Sequence, residues 1–146
     1  GQRIAALNTH FDHVGTTARE NSAALISDWS TRRIAAGDEV IVMGDFNASP
    51  GSPPMAILGE PARSGLRMAR TASVATPYGP PGTFTGFRID SEAAEPIDHV
   101  LVSGRFAVLR YATITQHWGG RLPSDHYPVV ADLRAGVRHK VAATPK

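Results

Sequence analysis

The chain has 146 residues, 42% of them hydrophobic and 19% charged, a composition that is ordinary for one folded domain with its own core. It contains no cysteine, which excludes disulfides, zinc–thiolate sites and cysteine nucleophiles. No apolar run approaches the length that a membrane-spanning helix needs. The net charge is +2 and the pI is near 9.4; because the arginines are scattered, a polyanionic partner is compatible with the sequence but not required.

The beginning of the chain predicts a strand, a helix and a second strand. Residues 3–10 form the first predicted strand. Thr17 and Glu20 have the Thr-x-x-Glu spacing of a capping box, which predicts the start of a helix that ends at Gly37. Residues 40–43 are apolar on both faces, which favours a central strand that is covered on both sides.

The remainder of the chain is predicted to be mostly strands. Residues 48–81 are rich in loops, with one short helical segment at 55–58. Further strands are predicted at 83–87, 97–102, 107–115 and 127–133. A strand–helix–strand opening followed by strands favours an α/β sandwich that carries its functional groups at strand ends. The basic tail at 138–146 has little pattern, and we expect it to be disordered.

Four short segments place Asp, Asn and His next to predicted strands. They are Asn-Thr-His-Phe-Asp at 8–12, Gly-Asp-Phe-Asn at 44–47, Ile-Asp-His at 97–99 and Ser-Asp-His-Tyr-Pro-Val at 124–129. These residue types suit phosphoester hydrolysis, which needs a carboxylate to activate water, an amide for the phosphoryl oxygens and histidines to donate protons or stabilise charge. The carboxylates favour a hard cation such as Mg²⁺ or Mn²⁺ over zinc.

Each segment taken singly also has a purely structural interpretation. Gly44 and Asp45 are of types that commonly end strands in turns, and Asp98 or Asp125 could satisfy nearby backbone groups. Phe in a strand is more often core than substrate-facing, and this applies to the Thr-Phe-Thr-Gly-Phe segment at 83–87. It is the coincidence of four segments in one chain that favours a functional site.

In this order the four segments resemble the motifs of the endonuclease/exonuclease/phosphatase family, which includes deoxyribonuclease-I-like enzymes. The segments at 44–47 and 124–129 are the most specific. The resemblance implies an α/β (α+β) fold, the C-terminal half of a four-layer sandwich, with a mixed, mostly antiparallel sheet and helices on its outer face. Residues 1–137 would form this half. The N-terminal half, which in the family supplies an Asn and a metal-binding Glu, is expected to be absent, leaving an exposed apolar face.

The resemblance also implies the roles of individual residues. Asp45 matches the residue that activates the attacking water, and Asn47 matches the amide that holds the scissile phosphate. His126 matches the histidine that contacts the phosphoryl group. Asp125 and Asp45 would lie at the metal, Mg²⁺ or Mn²⁺. Without the family's Glu, metal affinity and activity of this chain alone are expected to be weak.

The proton donor to the leaving group is implied to be His10, with Asp98 as the carboxylate that orients it. The resulting hypothesis is a Mg²⁺-dependent phosphodiesterase or nuclease, in which His10, Asp45 and His126 converge on one point. The implied partner is a phosphoester substrate, with nucleic acid as one candidate. Two alternatives stay open: a phosphatase or phospholipase-type enzyme acting on a small molecule or lipid head group, and a non-catalytic binding module of the same fold.

Overall fold

The computed structural model describes residues 2–90 and 95–136, so the tail at 138–146 lies outside the described residues. In chain order the elements are β1 (Ile4–His10), α1 (Thr16–Ala35), β2 (Glu39–Asp45), α2 (Pro53–Gly59), α3 (Pro61–Ser64), β3 (Leu66–Met68), α4 (Ala69–Ala72), β4 (Asp98–Ser103), β5 (Phe106–Thr113) and β6 (Val129–Ala135). Across the described ranges, no helix has the length and apolar character to cross a membrane.

The strands form two sheets. Strands β1, β2, β4 and β3 lie in that order in one sheet, and β5 and β6 pair with each other in a second. β1 runs parallel to β2, whereas β4 is antiparallel to both of its neighbours, and β5 is antiparallel to β6. This mixed, mostly antiparallel arrangement with helices confirms the predicted fold class.

One face of the four-stranded sheet is covered by helices. Val40 and Val42 of β2 and Leu101 of β4 are fully buried on this face and belong to one core with Ile26 of α1 and Leu58 of α2. Successive residues of a strand point to opposite faces, so every second residue of β2 reaches this core. The helices therefore cover one face of the sheet and leave the other face for the site.

The opposite face of the same sheet is covered only in part. Ile41 and Val102 pack against the β5–β6 sheet in a second core. Towards β1 this face is open, with Ile4 55% exposed and Met43 38% exposed. The expected exposed apolar face is therefore present. The prediction that β2 is covered on both sides holds at its centre and is wrong at Met43.

The start of α1 differs from the prediction. Thr17 lies inside the helix, whose first turn has no side-chain cap, so the Thr17–Glu20 capping box is wrong. Instead, Asp12 Oδ1 accepts hydrogen bonds from the backbone N–H groups of Val14 and Gly15, at 2.7 and 2.9 Å. The bonds from Gly15 and Val14 hold the pKa of the Asp12 carboxyl below its ordinary value. A side chain in the preceding loop thus shapes the entry to the helix.

The second half of the chain contains elements that the sequence pattern did not predict, among them β3 and the one-turn helices α3 and α4. The strand predicted at 83–87 is not formed; a single bridge joins Phe84 to His126. Gly86 and Phe87 adopt left-handed φ angles of 59° and 66°, which turn the chain away from an extended course. The strands predicted at 97–102, 107–115 and 127–133 are present as β4, β5 and β6 with shifted ends.

Candidate active site

At one end of the four-stranded sheet, the last residues of β1 and β2 lie beside the first residue of β4. In the strand register, His10 of β1 pairs with Asp45 of β2, and Asp45 pairs with Asp98 of β4. Because alternate residues of a strand share a face, this row lies on the same face as Met43, away from α1. His126 reaches the row from the loop before β6. Four of the predicted site residues are therefore brought together.

Asp45 lies at the centre of the cluster. Its Oδ2 atom is 3.3 Å from Nε2 of His10 and 3.8 Å from Nε2 of His126. Its Oδ1 atom accepts a hydrogen bond from the backbone N–H of Asn47 at 2.8 Å. One carboxylate oxygen is thus held by the backbone, while the other faces both imidazoles. The structure therefore places His10, Asp45 and His126 side by side, while their roles stay predictions.

The Gly-Asp-Phe-Asn segment is built to present that carboxylate. Gly44 has a φ of +137°, and a Cβ atom there would lie 1.9 Å from the carbonyl oxygen of Thr9. Phe46 is fully buried and packs edge-on against Phe11, with ring centroids 5.0 Å apart. Asn47 takes a left-handed φ of 45°, which Asn tolerates better than most residues, and its Nδ2 donates to the carbonyl of Phe11 at 2.9 Å. The segment is anchored on both sides of Asp45.

Asp98 contacts His126 and not His10. Asp98 Oδ2 lies 2.7 Å from His126 Nδ1. Since a carboxylate accepts, Nδ1–H is the donor, and Nε2 is the ring atom that faces Asp45. The prediction that Asp98 orients His10 is wrong, because Asp45 stands between the two residues in the strand register. The carboxylate beside His10 is Asp45 itself.

The surroundings of His126 favour its protonated form. Partial burial by itself would lower the pKa of His126. The hydrogen bond and charge of Asp98, together with the charges of Asp45 and Asp125, outweigh burial and raise this pKa above its ordinary value of 6.5. Opposite charges nearby favour the cation in this way. His126 is therefore suited to donate a proton or to stabilise negative charge through Nε2.

His99 and Phe84 differ in their relation to the cluster. His99 is buried, donates from Nε2 to the carbonyl of Ala48 at 2.9 Å, and has a pKa lowered by burial. It is a structural histidine.

Phe84 is 48% exposed, and its ring meets that of His126 edge-on with centroids 5.2 Å apart. The expectation that Phe84 is core is wrong, because the turn at 86–87 replaces the predicted strand.

Residues of the cluster fit a divalent cation. Asp45, Asp98 and, in its neutral form, His126 each offer one ligand atom, and these atoms lie within 4.8 Å of one another. Two carboxylates beside an imidazole are compatible with Mg²⁺ or Mn²⁺. Asp125, the other predicted metal ligand, is not part of this group, although its charge acts on His126. Which metal binds here, and whether Asp125 is one of its ligands, stay predictions.

A groove of about 320 Å³ adjoins the cluster. Its lining includes the polar side chains of Asp98 and His126 and the apolar side chains of Met43, Val100 and Pro128. One side of the lining comes from β1, β2 and β4, and the other from the loop before β6 and from Val129 at its start. Its apolar part continues the open face of the four-stranded sheet.

Fold and site together define a mixed α/β protein that gathers Asp and His side chains where strands of one sheet meet. The sequence profile of the Endonuclease/Exonuclease/phosphatase family matches residues 5–126, and the chain belongs to this family. No curated protein sequence matches the chain significantly.

Solved structures of similar proteins support the same family. An endonuclease/exonuclease/phosphatase from Bacteroides vulgatus is 30% identical with a TM-score of 0.77, and the match covers 92% of this chain and 51% of that one. A family protein from Bacteroides thetaiotaomicron is 29% identical with a TM-score of 0.79, and the match covers 86% of this chain and 48% of that one. A mannosyl-6-phosphatase from the same organism is 30% identical with a TM-score of 0.75, and the match covers 87% of this chain and 49% of that one. The chain thus spans about half the length of these relatives.

Proposed function

We propose that this chain carries the Asp and His groups of a metal-dependent phosphoester hydrolase that cleaves a phosphodiester, as a phosphodiesterase or nuclease does. The observation behind the proposal is the convergence of His10 Nε2 and His126 Nε2 on Asp45 Oδ2, at 3.3 and 3.8 Å. A carboxylate between two imidazoles places a base, an acid and a charge-stabilising donor around one small volume.

Asp45 is the proposed water-activating residue. Its Oδ1 is occupied by the backbone N–H of Asn47, which leaves Oδ2 to accept a hydrogen bond from water. The side chain is largely buried, and its backbone is held by the rigid end of β2, so the direction of Oδ2 is fixed. A water held there would be oriented for attack and would lose its proton to the carboxylate.

His126 is the proposed donor to the phosphoryl group. Its Nδ1–H is engaged by Asp98, so Nε2–H is the group that can face a phosphoryl oxygen. The raised pKa favours the imidazolium form, which would stabilise the negative charge that develops on those oxygens. Asn47 donates one amide N–H to the carbonyl of Phe11, and the other amide N–H would add a second contact to the phosphate.

His10 is the proposed proton donor to the leaving group. It is 72% exposed at the end of β1, on the other side of Asp45 from Asp98. Asp45 and Asp125 are the proposed holders of the cation, with Asp98 and His126 close to Asp45. When bound, Mg²⁺ or Mn²⁺ would neutralise charge on the phosphoryl oxygens.

A second candidate function is phosphomonoester hydrolysis. It is favoured by one specific finding, the 30% identity to a solved mannosyl-6-phosphatase over 87% of this chain. The same Asp and His groups would serve a monoester, because water attack and charge stabilisation are common to both reactions. The substrate would then be a sugar phosphate or another small phosphate ester, and not a nucleic acid.

The test is hydrolysis assayed on the full-length gene product and on this chain in parallel, since solved relatives are about twice as long. Substrates are plasmid DNA, bis-p-nitrophenyl phosphate, p-nitrophenyl phosphate and mannose 6-phosphate, each with Mg²⁺ and with EDTA. Asp45→Ala is the test variant, and Asp28→Ala, at an exposed position of α1, is the matched control.

Cleavage of DNA or the diester that is lost with EDTA and with Asp45→Ala, but kept by Asp28→Ala, would support the first proposal. Cleavage confined to the monoesters would support the phosphatase. A folded full-length protein that binds Mg²⁺ and hydrolyses none of them would contradict both and favour a binding module.

A further inference from the structure

We infer that Thr83 is a positioning residue that holds the Asp98–His126 pair in its geometry. Thr83 is fully buried and belongs to none of the motifs that carry the site. It lies between the two segments that provide the pair, the start of β4 and the loop before β6. The side chain of Thr83 is hydrogen-bonded to the start of β4, and the backbone of Thr83 is hydrogen-bonded to the loop before β6.

The side chain of Thr83 holds the start of β4. Its Oγ1 accepts hydrogen bonds from the backbone N–H groups of Ile97 and Asp98, at 3.1 and 3.2 Å. A hydroxyl oxygen has two lone pairs, so it can satisfy both donors at once. The carboxylate of Asp98 extends from this backbone, and its distance to His126 depends on where the backbone is held.

The backbone of Thr83 holds the loop before β6. Its carbonyl accepts a hydrogen bond from the backbone N–H of Tyr127 at 2.7 Å. Two residues further on, Thr85 donates from its backbone N–H and from Oγ1 to the carbonyl of Asp125, at 2.7 and 2.8 Å. The residues on either side of His126 are therefore fixed by the same short segment.

Thr83 thus links two segments that contribute one residue each to the pair. The Asp98–His126 hydrogen bond is 2.7 Å long, so a shift of roughly 1 Å between the segments would break it. Removing the Thr83 hydroxyl would leave two N–H donors without their acceptor and allow such a shift. The step from this geometry to a reaction rate rests on the proposed function; the geometry itself does not.

The test compares Thr83→Val, which removes the hydroxyl at nearly constant shape, with Thr83→Ser, which keeps it. The matched control is Thr113→Val. Thr113 is equally buried, and within the part of the chain that the structure describes its Oγ1 has no hydrogen-bond partner. The readouts are the ring N–H proton resonance of His126 at fixed pH and, for the full-length protein, kcat and KM.

A ring proton donated to a carboxylate at 2.7 Å should resonate downfield in the native chain, in Thr83→Ser and in Thr113→Val. In Thr83→Val it should broaden or disappear, and kcat should fall about tenfold or more while KM changes less than about twofold. Thr83→Ser should keep kcat within about threefold of the native value.

The inference is overturned if folded Thr83→Val keeps the His126 resonance, if Thr113→Val loses it equally, or if the native chain lacks it. If Thr83→Val does not fold, the test rests on Thr83→Ser. Loss of the His126 ring N–H resonance in Thr83→Ser would then overturn the inference. A resonance that depends on Thr83 in a protein that hydrolyses no phosphoester would leave this inference standing and remove the proposed function.

Discussion

Asp98 Oδ2 accepts a hydrogen bond from His126 Nδ1 across 2.7 Å, joining the first residue of β4 to the loop before β6. This contact selects the tautomer of His126 and leaves its Nε2 towards Asp45. The same oxygen of Asp45 faces His10, so the Asp98–His126 hydrogen bond fixes which ring nitrogen of His126 faces the centre of the cluster. The pair also makes the site sensitive to pH.

Asp98→Asn should lower the pKa of His126, because it removes the carboxylate that stabilises the imidazolium. In the folded native chain this pKa lies above the ordinary 6.5. A raised folded pKa contributes stability that is complete below 6.5 and is lost as the pH rises through the folded pKa. Asp98→Asn should therefore cost more stability at pH 5.5 than at pH 8.5, measured by urea unfolding at both pH values and by NMR titration of His126. Asp132→Asn, which removes an exposed partner of Arg110, is the control and should show no such pH dependence.

Asp45→Asn should reduce kcat by about 10²–10⁴, the range typical of losing a general base, with the fold retained. The amide keeps the size of the side chain, so circular dichroism and the melting temperature should change little. The measurement is hydrolysis of whichever phosphoester the full-length protein turns over. Asp28→Asn on α1 should keep native activity; a variant at Asp45 with activity within about threefold of native would refute the base role.

His99→Gln should flatten the dependence of stability on pH on the acid side. Burial lowers the pKa of His99, so the folded state keeps the ring neutral while the unfolded state binds a proton below 6.5. Stability from this group is therefore complete above 6.5 and is lost as the pH falls towards the lower folded pKa. Gln keeps a donor for the carbonyl of Ala48 but cannot ionise. Urea unfolding between pH 5 and 7.5 should show a shallower acid-side loss in the variant, and equal slopes would argue against a buried neutral ring.

Gly44→Ala should destabilise the chain by about 3 kcal/mol or more, because its φ of +137° and the Thr9 carbonyl 1.9 Å from a Cβ atom leave no room for a side chain. Gly104→Ala is the matched control, since nothing lies within 4 Å of a Cβ atom there, and it should change stability by less than about 1 kcal/mol. Thermal unfolding of the two variants side by side is the measurement. A Gly44→Ala variant as stable as Gly104→Ala would contradict the close approach of β1 and β2.

The strand ends show how far sequence patterns reach. The segments at 44–47 and 124–129 are local, and the apolar residues beside Asp45 and His126 predict that both lie where a strand begins or ends. The expectation that His10, Asp45 and His126 meet came from the family resemblance, and the structure places the three side chains next to one another. The capping box failed because the helix already begins at Thr16, which places Thr17 inside its first turn, and the loop before it is held by Asp12.

The sequence by itself determined the residue types of the site, because each motif is local to one strand or turn. The order of the motifs and of the predicted elements along the chain indicated the fold class and the family. Only the tertiary structure decided that Asp98 is hydrogen-bonded to His126 and that Phe84 is exposed beside His126. It also decided that Thr83 links the start of β4 to the loop before β6. These relations depend on strand register and on contacts between residues 14 to 44 positions apart in the chain. Such contacts are set by the packing of sheets and loops against each other, which no local pattern specifies.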